Sequence, residues 1–170
     1  ICLKSVWITI SYSIAAMSIA IVIGIPLGIL ASGTIFQSQI AKLTSGFIVR
    51  PLLALLRAIH ELVWAWIIAI TLGFTAISGV LALAIPYGAI LARIYADLLK
   101  DVSDHPLLSL RASGGSGWQI LFYGRLPAAS AGIINYTVYR FECCLRSSAV
   151  LSFIGLQGIG YQIGISLSDL

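Results

Sequence analysis

The sequence predicts an all-α membrane protein of about four transmembrane helices, interrupted by one polar loop between Lys100 and Pro127. Composition is the first support. Of 170 residues, 59% are hydrophobic and 9% charged, against about 25% charged in a soluble domain. The mean hydropathy is +1.03. So short a chain cannot enclose this much apolar surface in a core, and the surplus faces lipid. The second support is the stretch from Ser5 to Ala41, which contains no charged residue and exceeds the ~20 residues that cross a bilayer. The third is the spread of the basic residues. A net charge of +4 without a basic patch speaks against nucleic acid as a partner and for loops sorted by the positive-inside rule.

The first span has its apolar core from Val6 to Leu30, with Gly24, Pro26 and Gly28 in its later half. Membrane helices tolerate these residues, because neighbouring helices satisfy freed backbone groups and small residues permit close packing. Ser32 to Lys42 reads as a polar turn. Leu43 to Gly73 is too long for one straight crossing and carries Arg50-Pro51, Arg57 and His60-Glu61. It is expected to be one tilted, broken helix near the cytoplasmic interface, or two short elements. Phe74 to Gly79 reads as a tight turn. Val80 to Ala92 opens the next span, which ends interfacially at Arg93, Asp97 and Lys100. Pro127 suits the first turn of a further helix reaching Arg146. An apolar stretch follows from Ala149, and Gly155, Gly158, Gly160 and Gly164 make the end a short helix or re-entrant segment. Lys42, Lys100, Arg111 and Arg125 mark cytoplasmic loops and put the chain start outside, although Lys4 goes against the rule.

Cys2, Cys143 and Cys144 lack the spacing of a disulfide framework or zinc site and read as small packing residues. The opening at Ile1 and the stop at Leu170 are read as those of an internal piece of a longer protein.

Within the loop, Ser103 or Asp104 is expected to cap a short helix with Pro106 in its first turn, ending near Ser113 at Gly114-Gly115. Ser116 and Gln119 have capping-box spacing and open a second short helix through Ile120, Leu121, Phe122 and Tyr123. The product is a compact cytoplasmic knob, or else a loop that merely connects spans.

Gly114, a nine-residue gap and Gly124-Arg125-Leu126-Pro127 resemble the cytoplasmic signature of ABC-importer permeases, E-A-A-x3-G-x9-I-x-L-P. The stretch Leu56 to Ala65 is similar to the LRAIPELVWA segment of the phosphonate permease family. Tyr136 to Glu142, with Arg146-Ser147 and Val150-Leu151, resembles its YTLYRFE and RSATVLG segments, and Gly155 to Gly160 its GAGGIG tail.

This resemblance implies a type I ABC-importer permease core, a single domain over residues 1–170 with its coupling loop at about 101–126. It implies a multi-pass protein of the bacterial inner membrane, embedded in membrane lipid and working as two copies. Two ATPase subunits would dock on the loops, and a periplasmic or lipid-anchored binding protein would deliver phosphonate or a related anion. The chain contains no G-x-x-x-x-G-K-S/T loop. It is therefore expected to be no enzyme and to hold no cofactor, with ATP and magnesium on the partner. The coupling residues carried over are Leu108, Ser109, Leu110, Gly114, Gly124, Leu126 and Pro127. Leu108, Ser109 and Leu110 stand where the family has Glu-Ala-Ala, His60 where it has proline, and Gln157 where it has glycine. Loss of the glutamate implies an apolar groove on the ATPase or weakened coupling. A permease for methionine or another small polar solute is the alternative in the same class. A channel or secondary transporter without an ATPase is the rival from another class.

Charges inside spans are costly and point to function. Glu142 and Arg146 are spaced i, i+4 for an intrahelical pair, and Glu61 is the available partner for Arg140. These charges either neutralise one another to hold helices in register, or leave Arg57, Arg140 and Arg146 as a positive strip for an oxyanion. Arg50 and Arg57 can instead snorkel to the interface. His105 reads as an exposed loop residue, and His60-Glu61 does not continue into H-E-x-x-H. Trp7, Trp64, Trp66 and Trp118 read as anchors or packing residues.

Overall fold

A computed structural model describes residues 2–34, 39–103, 105–152 and 158–168. The described residues form α1 (Cys2–Ser32), α2 (Gln39–Ala58), α3 (Glu61–Leu72), α4 (Ala76–Asp101), α5 (His105–Ala112), α6 (Gly117–Ile120), a π turn (Leu121–Arg125), α7 (Leu126–Leu151) and α8 (Ile159–Ser168). Among them there is no strand.

The bundle is built on α1 and α4, which run parallel. A Cβ on Gly24 would meet Leu91 Cβ at 3.1 Å, one on Gly28 would meet Tyr95 Cβ at 2.9 Å, and one on Gly88 would lie 3.6 Å from Ala20 Cα. The two numberings rise together along the contact. Small residues recur every fourth position on both sides: Ala16, Ala20, Gly24 and Gly28 on α1, and Ala84, Gly88, Ala92 and Ala96 on α4, all buried. Lipid tails are as apolar as leucine, so membrane helices associate through such close backbone packing rather than through hydrophobic burial. The sequence exposed the α1 glycines as packing residues but not their alanine-rich counterpart.

Toward the N-terminal end of the same buried stripe of α1, Ser148 Oγ donates to Thr9 O at 3.2 Å, and Cys144 Sγ lies 3.9 Å from Ser13 O. Here the numbering falls as the other rises, so α7 runs antiparallel to α1. Cys144 is fully buried and Cys143 half-buried, which fits their reading as packing residues.

The segment from α2 to α3 is the expected broken helix, bent by 87°. The break falls at Ile59-His60, where His60 leaves helical geometry (φ −63°, ψ 144°) and its ring accepts from Leu62 N. Trp64 Nε1 donates back across the bend to Leu56 O at 3.2 Å, so this tryptophan fixes the corner.

Among the described residues, two helices, α1 and α4, are long and apolar enough to cross a membrane, or three if the bent pair is one span. The fourth expected crossing, α7, has the length of α4 at 26 residues, without its apolarity. Several boundaries move. The turn expected over Phe74 to Gly79 is only Gly73 to Thr75: Gly73 takes a positive φ of 77° and Thr75 forms a capping box with Ser78. The polar turn after Ser32 is also shorter, because α2 already begins at Gln39. His105 opens α5 rather than lying in a loop. The segment from Ile159 is a short helix. Asp104, Gly155 and Gln157 lie outside the described residues.

Candidate functional site

The polar loop folds as two short helical pieces around a glycine corner. Gly114 takes φ 79°, a conformation that side-chain-bearing residues rarely adopt. It lets Gly115 N donate to Leu110 O at 3.1 Å and close the end of α5. The predicted capping box is present: Ser116 N donates to Gln119 Oε1 at 2.8 Å, and Gln119 N donates to Ser116 Oγ. Leu107 is buried against the second piece. A Cβ on Gly124 would overlap Leu107 Cδ2 and lie 3.2 Å from Leu110 Cδ1. Gly124 is therefore the seat on which α5 rests.

Pro127 sits in the first turn of α7, as expected, but that helix does not start afresh there. The π turn carries α6 directly into α7, with Leu126 N donating to Leu121 O in an i to i+5 bond. The extra residue relaxes the hydrogen-bond ladder just where Pro127 cannot donate. The second short helix is thus the N-terminal extension of α7, and displacement of the knob is displacement of that helix end. Arg125, expected as a charge flanking the loop, is only 8% exposed. Its Nη1 donates to Leu99 O at 2.8 Å, which satisfies a carbonyl in the last turn of α4 and places a cation at that helix's negative end. One side chain ties the loop to the bundle.

Outward, the knob presents apolar surface. Leu108, at the family's glutamate position, is 56% exposed, and Ser109 is exposed beside it. Trp118 and Phe122 stack at 6.1 Å between centroids and are both exposed, as is Tyr123.

Within the bundle, Glu61 does not pair with Arg140. Its Oε1 accepts from Ser147 Oγ, which also contacts Tyr87 OH at 2.9 Å. This node joins α3, α4 and α7. Arg140 is engaged on its own helix instead, its Nε donating to Tyr136 OH at 3.0 Å and its guanidinium lying over the Tyr136 and Tyr139 rings. The physical reason is reach: Ser147 lies two turns beyond Arg140 on α7, and Glu61 faces that level. A second bridge joins Tyr95 OH and Thr137 Oγ1 at 2.6 Å.

The expected Glu142–Arg146 pair forms at 2.8 Å, with side chains 66% and 74% exposed. Asn135, Tyr139, Glu142 and Arg146 recur at three- to four-residue spacing on the exposed face of α7. This polar stripe runs along a helix of crossing length. Arg57 is exposed near the end of α2 and lies apart from it. No group of three or more potential metal ligands occurs among the described residues.

Residues 24–169 match the family described as the binding-protein-dependent transport system inner membrane component. The chain belongs to this family. Among curated relatives, it is 30% identical to the phosphate-import permease protein PhnE of Mycolicibacterium smegmatis, over 95% of this chain and 30% of that one. It is also 30% identical to the phosphite transport system permease protein PtxC of Stutzerimonas stutzeri, over 94% of this chain and 56% of that one. The chain thus spans about half or less of the length of these two relatives. Among solved structures, a chain of the MetNI methionine ABC transporter in an inward facing conformation superposes with a TM-score of 0.81 at 24% identity, over 96% of this chain and 80% of that one. At that identity the likeness establishes the fold.

The loop residues Leu108, Ser109, Leu110, Gly114, Gly124, Leu126 and Pro127 are spread from α5 through the glycine corner and the π turn to the start of α7. The intramembrane charges do not form one group. Glu61 sits in the Ser147–Tyr87 node, Arg140 among tyrosines, and Glu142–Arg146 on the open face of α7. Sequence reasoning missed Arg125, Tyr87 and Ser147. A loop arginine reads as a topology signal, and a lone tyrosine or serine in an apolar run carries no signal at all.

Proposed function

We infer that the chain lines the membrane pathway of an ATP-driven importer for phosphorus oxyanions, the phosphonates and their phosphite and phosphate relatives. The observation that carries this is the polar stripe on α7. An exposed ion pair with Asn135 and Tyr139 beside it is expensive against lipid, so the stripe faces an aqueous path or a second copy across it. Arg146, with Arg140 behind it, offers guanidinium groups to an anion, and guanidinium matches phosphate-like oxygens. The names of the two relatives support the same cargo class.

In this reading a separate ATPase binds the exposed face of α5 and α6 and carries the ATP and magnesium. A periplasmic or lipid-anchored binding protein supplies the solute from outside, in the bacterial inner membrane. Motion of the docked knob passes through Gly124 and Leu107 to α5, directly into α7, and through Arg125 to α4. Two arrangements of these helices, biased by the nucleotide state of the partner, give alternating access. The test is uptake of labelled phosphite and methylphosphonate by the assembled transporter in proteoliposomes, comparing Glu142→Gln, Arg146→Gln and Arg140→Gln with the parent. Selective loss with the arginine variants supports the reading. Uptake unchanged in every variant, or competition by methionine rather than by phosphorus oxyanions, overturns it.

A further inference from the structure

A cleft of about 580 Å³ opens between α2 and α4, lined by Gly46, Phe47, Arg50, Pro51, Ala54, Arg93 and Lys100. It lies toward the end of the bundle where α4 runs into the cytoplasmic loop. Three of its lining residues are cations. Asp97 is shared by two of them, 3.7 Å from Arg50 and 2.9 Å from Arg93. Three cations less this carboxylate leave two positive charges among the described groups of the cleft. Asp101 lines a neighbouring cleft with Ile94 and Leu98, beyond Lys100. Arg50 Nε also points to Ala31 O, at 3.4 Å, which fixes its guanidinium at the cleft wall.

The opposite face of α2 is spoken for. Leu53, with Val49 and Leu56, packs on Ala89, Ala92 and Ala96 of α4. The cleft side is therefore the outer flank of the bundle, and its α2 wall is largely apolar: Phe47 is 77% exposed, and Pro51 and Ala54 are exposed beside it. None of the lining residues comes from α7, so the cleft is not part of the polar stripe.

We propose that this cleft is a binding site for the phosphate headgroup of an anionic membrane lipid, with its acyl chains on the apolar wall of α2. A basic pocket between helix ends on the cytoplasmic side has the chemistry of such sites. Arg50 and Arg93 present planar donors to phosphate oxygens, and Lys100 adds a point charge at the mouth. A free anion would find the same cations but would have no use for Phe47, Pro51 and Ala54. The lipid uses both. The site is independent of the transported solute, because it lies on another face.

The test is native mass spectrometry of the permease in its intact assembly, reloaded with phosphatidylglycerol or phosphatidylethanolamine. Lys100→Gln is expected to lower retained phosphatidylglycerol about fivefold, and the double variant with Arg93→Gln about twenty-fivefold, since each basic group near an anionic headgroup is worth a similar factor. Phosphatidylethanolamine retention and the Lys4→Gln control are expected to be unaffected. Lys100→Gln leaves the Arg50–Asp97–Arg93 contacts in place, so it reads the site without disturbing the helix pair. Equal retention of phosphatidylglycerol by parent and Lys100→Gln overturns the proposal. So does displacement of the lipid by millimolar inorganic phosphate at constant ionic strength, which assigns the cleft to a soluble anion. A second copy or another subunit covering the cleft overturns it as well, and would show as Lys100 shielded from acetylation in lipid-free detergent.

Discussion

Adding a methyl group at Gly28 and at Gly88 is the same substitution in the same helix pair, and the structure predicts opposite outcomes. At Gly88 the new Cβ lies 3.6 Å from Ala20 Cα and its carbonyl oxygen, ordinary contact. At Gly28 it lies 2.9 Å from Tyr95 Cβ and 3.0 Å from Ala92 O. Neither obstacle is the far end of a flexible side chain. Carbon atoms prefer about 3.5–4.0 Å, so α1 and α4 must separate locally by roughly half an ångström or more. Overpacking of this kind costs about 1–3 kcal/mol. Glycine to alanine within a helix also gains about 1 kcal/mol of propensity, but that gain is common to both sites and cancels in the comparison. Gly28→Ala is therefore expected to be less stable than Gly88→Ala by about 1–3 kcal/mol. Unfolding of the two purified variants in mild detergent, followed by circular dichroism through a denaturant titration, measures the difference. Equal stability, or a more stable Gly28→Ala, would refute the parallel small-residue packing of α1 on α4.

Three further outcomes follow from the same geometry. Leu108→Asp puts a charge on the apolar face of the knob and is expected to weaken co-purification with the ATPase about tenfold to a hundredfold, the worth of one buried leucine. Pull-down of the partner at graded concentration measures it, and unchanged capture would remove Leu108 from the contact. Arg125→Met removes the charged donor from Leu99 O. Bonds to charged groups contribute about 1.5–3 kcal/mol, so thermal unfolding in detergent is expected to come earlier while the apolar volume is kept. Ser147→Ala leaves Glu61 without the hydroxyl that donates to it, whereas Tyr87→Phe removes a neutral partner from Ser147. The serine variant is expected to lose about 1.5–3 kcal/mol and the tyrosine variant about 0.5–1.5 kcal/mol, read by the same denaturant titration.

The two-helix knob was legible because its rules are local. A capping box spans four residues, and a helix-ending glycine needs only a positive φ, so Ser116, Gln119 and Gly114 announced themselves. The run through Leu126-Pro127 was not legible, since a proline after a short helix reads as a new start unless a π turn is known to absorb it. Gly24 and Gly28 pointed to a close helix contact, yet alanine is too common for Ala84, Ala92 and Ala96 to identify the partner. The Glu61–Arg140 pairing failed for a related reason. Opposite charges in apolar runs invite pairing on paper, while Tyr136 and Ser147 offer nearer partners whose hydroxyls the charge pattern does not register. Of the expected site residues, the loop set is spread from α5 to the start of α7 and the intramembrane set separated into three environments.

This polar-striped bundle is expected to conduct an oxyanion only when driven through its loop. The direct measurement is uptake of labelled phosphite into proteoliposomes holding the assembled transporter with its ATPase and binding protein. The same vesicles are prepared without the ATPase and with Leu108→Asp. Accumulation is expected to require ATP, to vanish without the ATPase and to fall with Leu108→Asp. Equilibration of phosphite that proceeds equally without the ATPase would contradict this expectation and return the chain to the channel class.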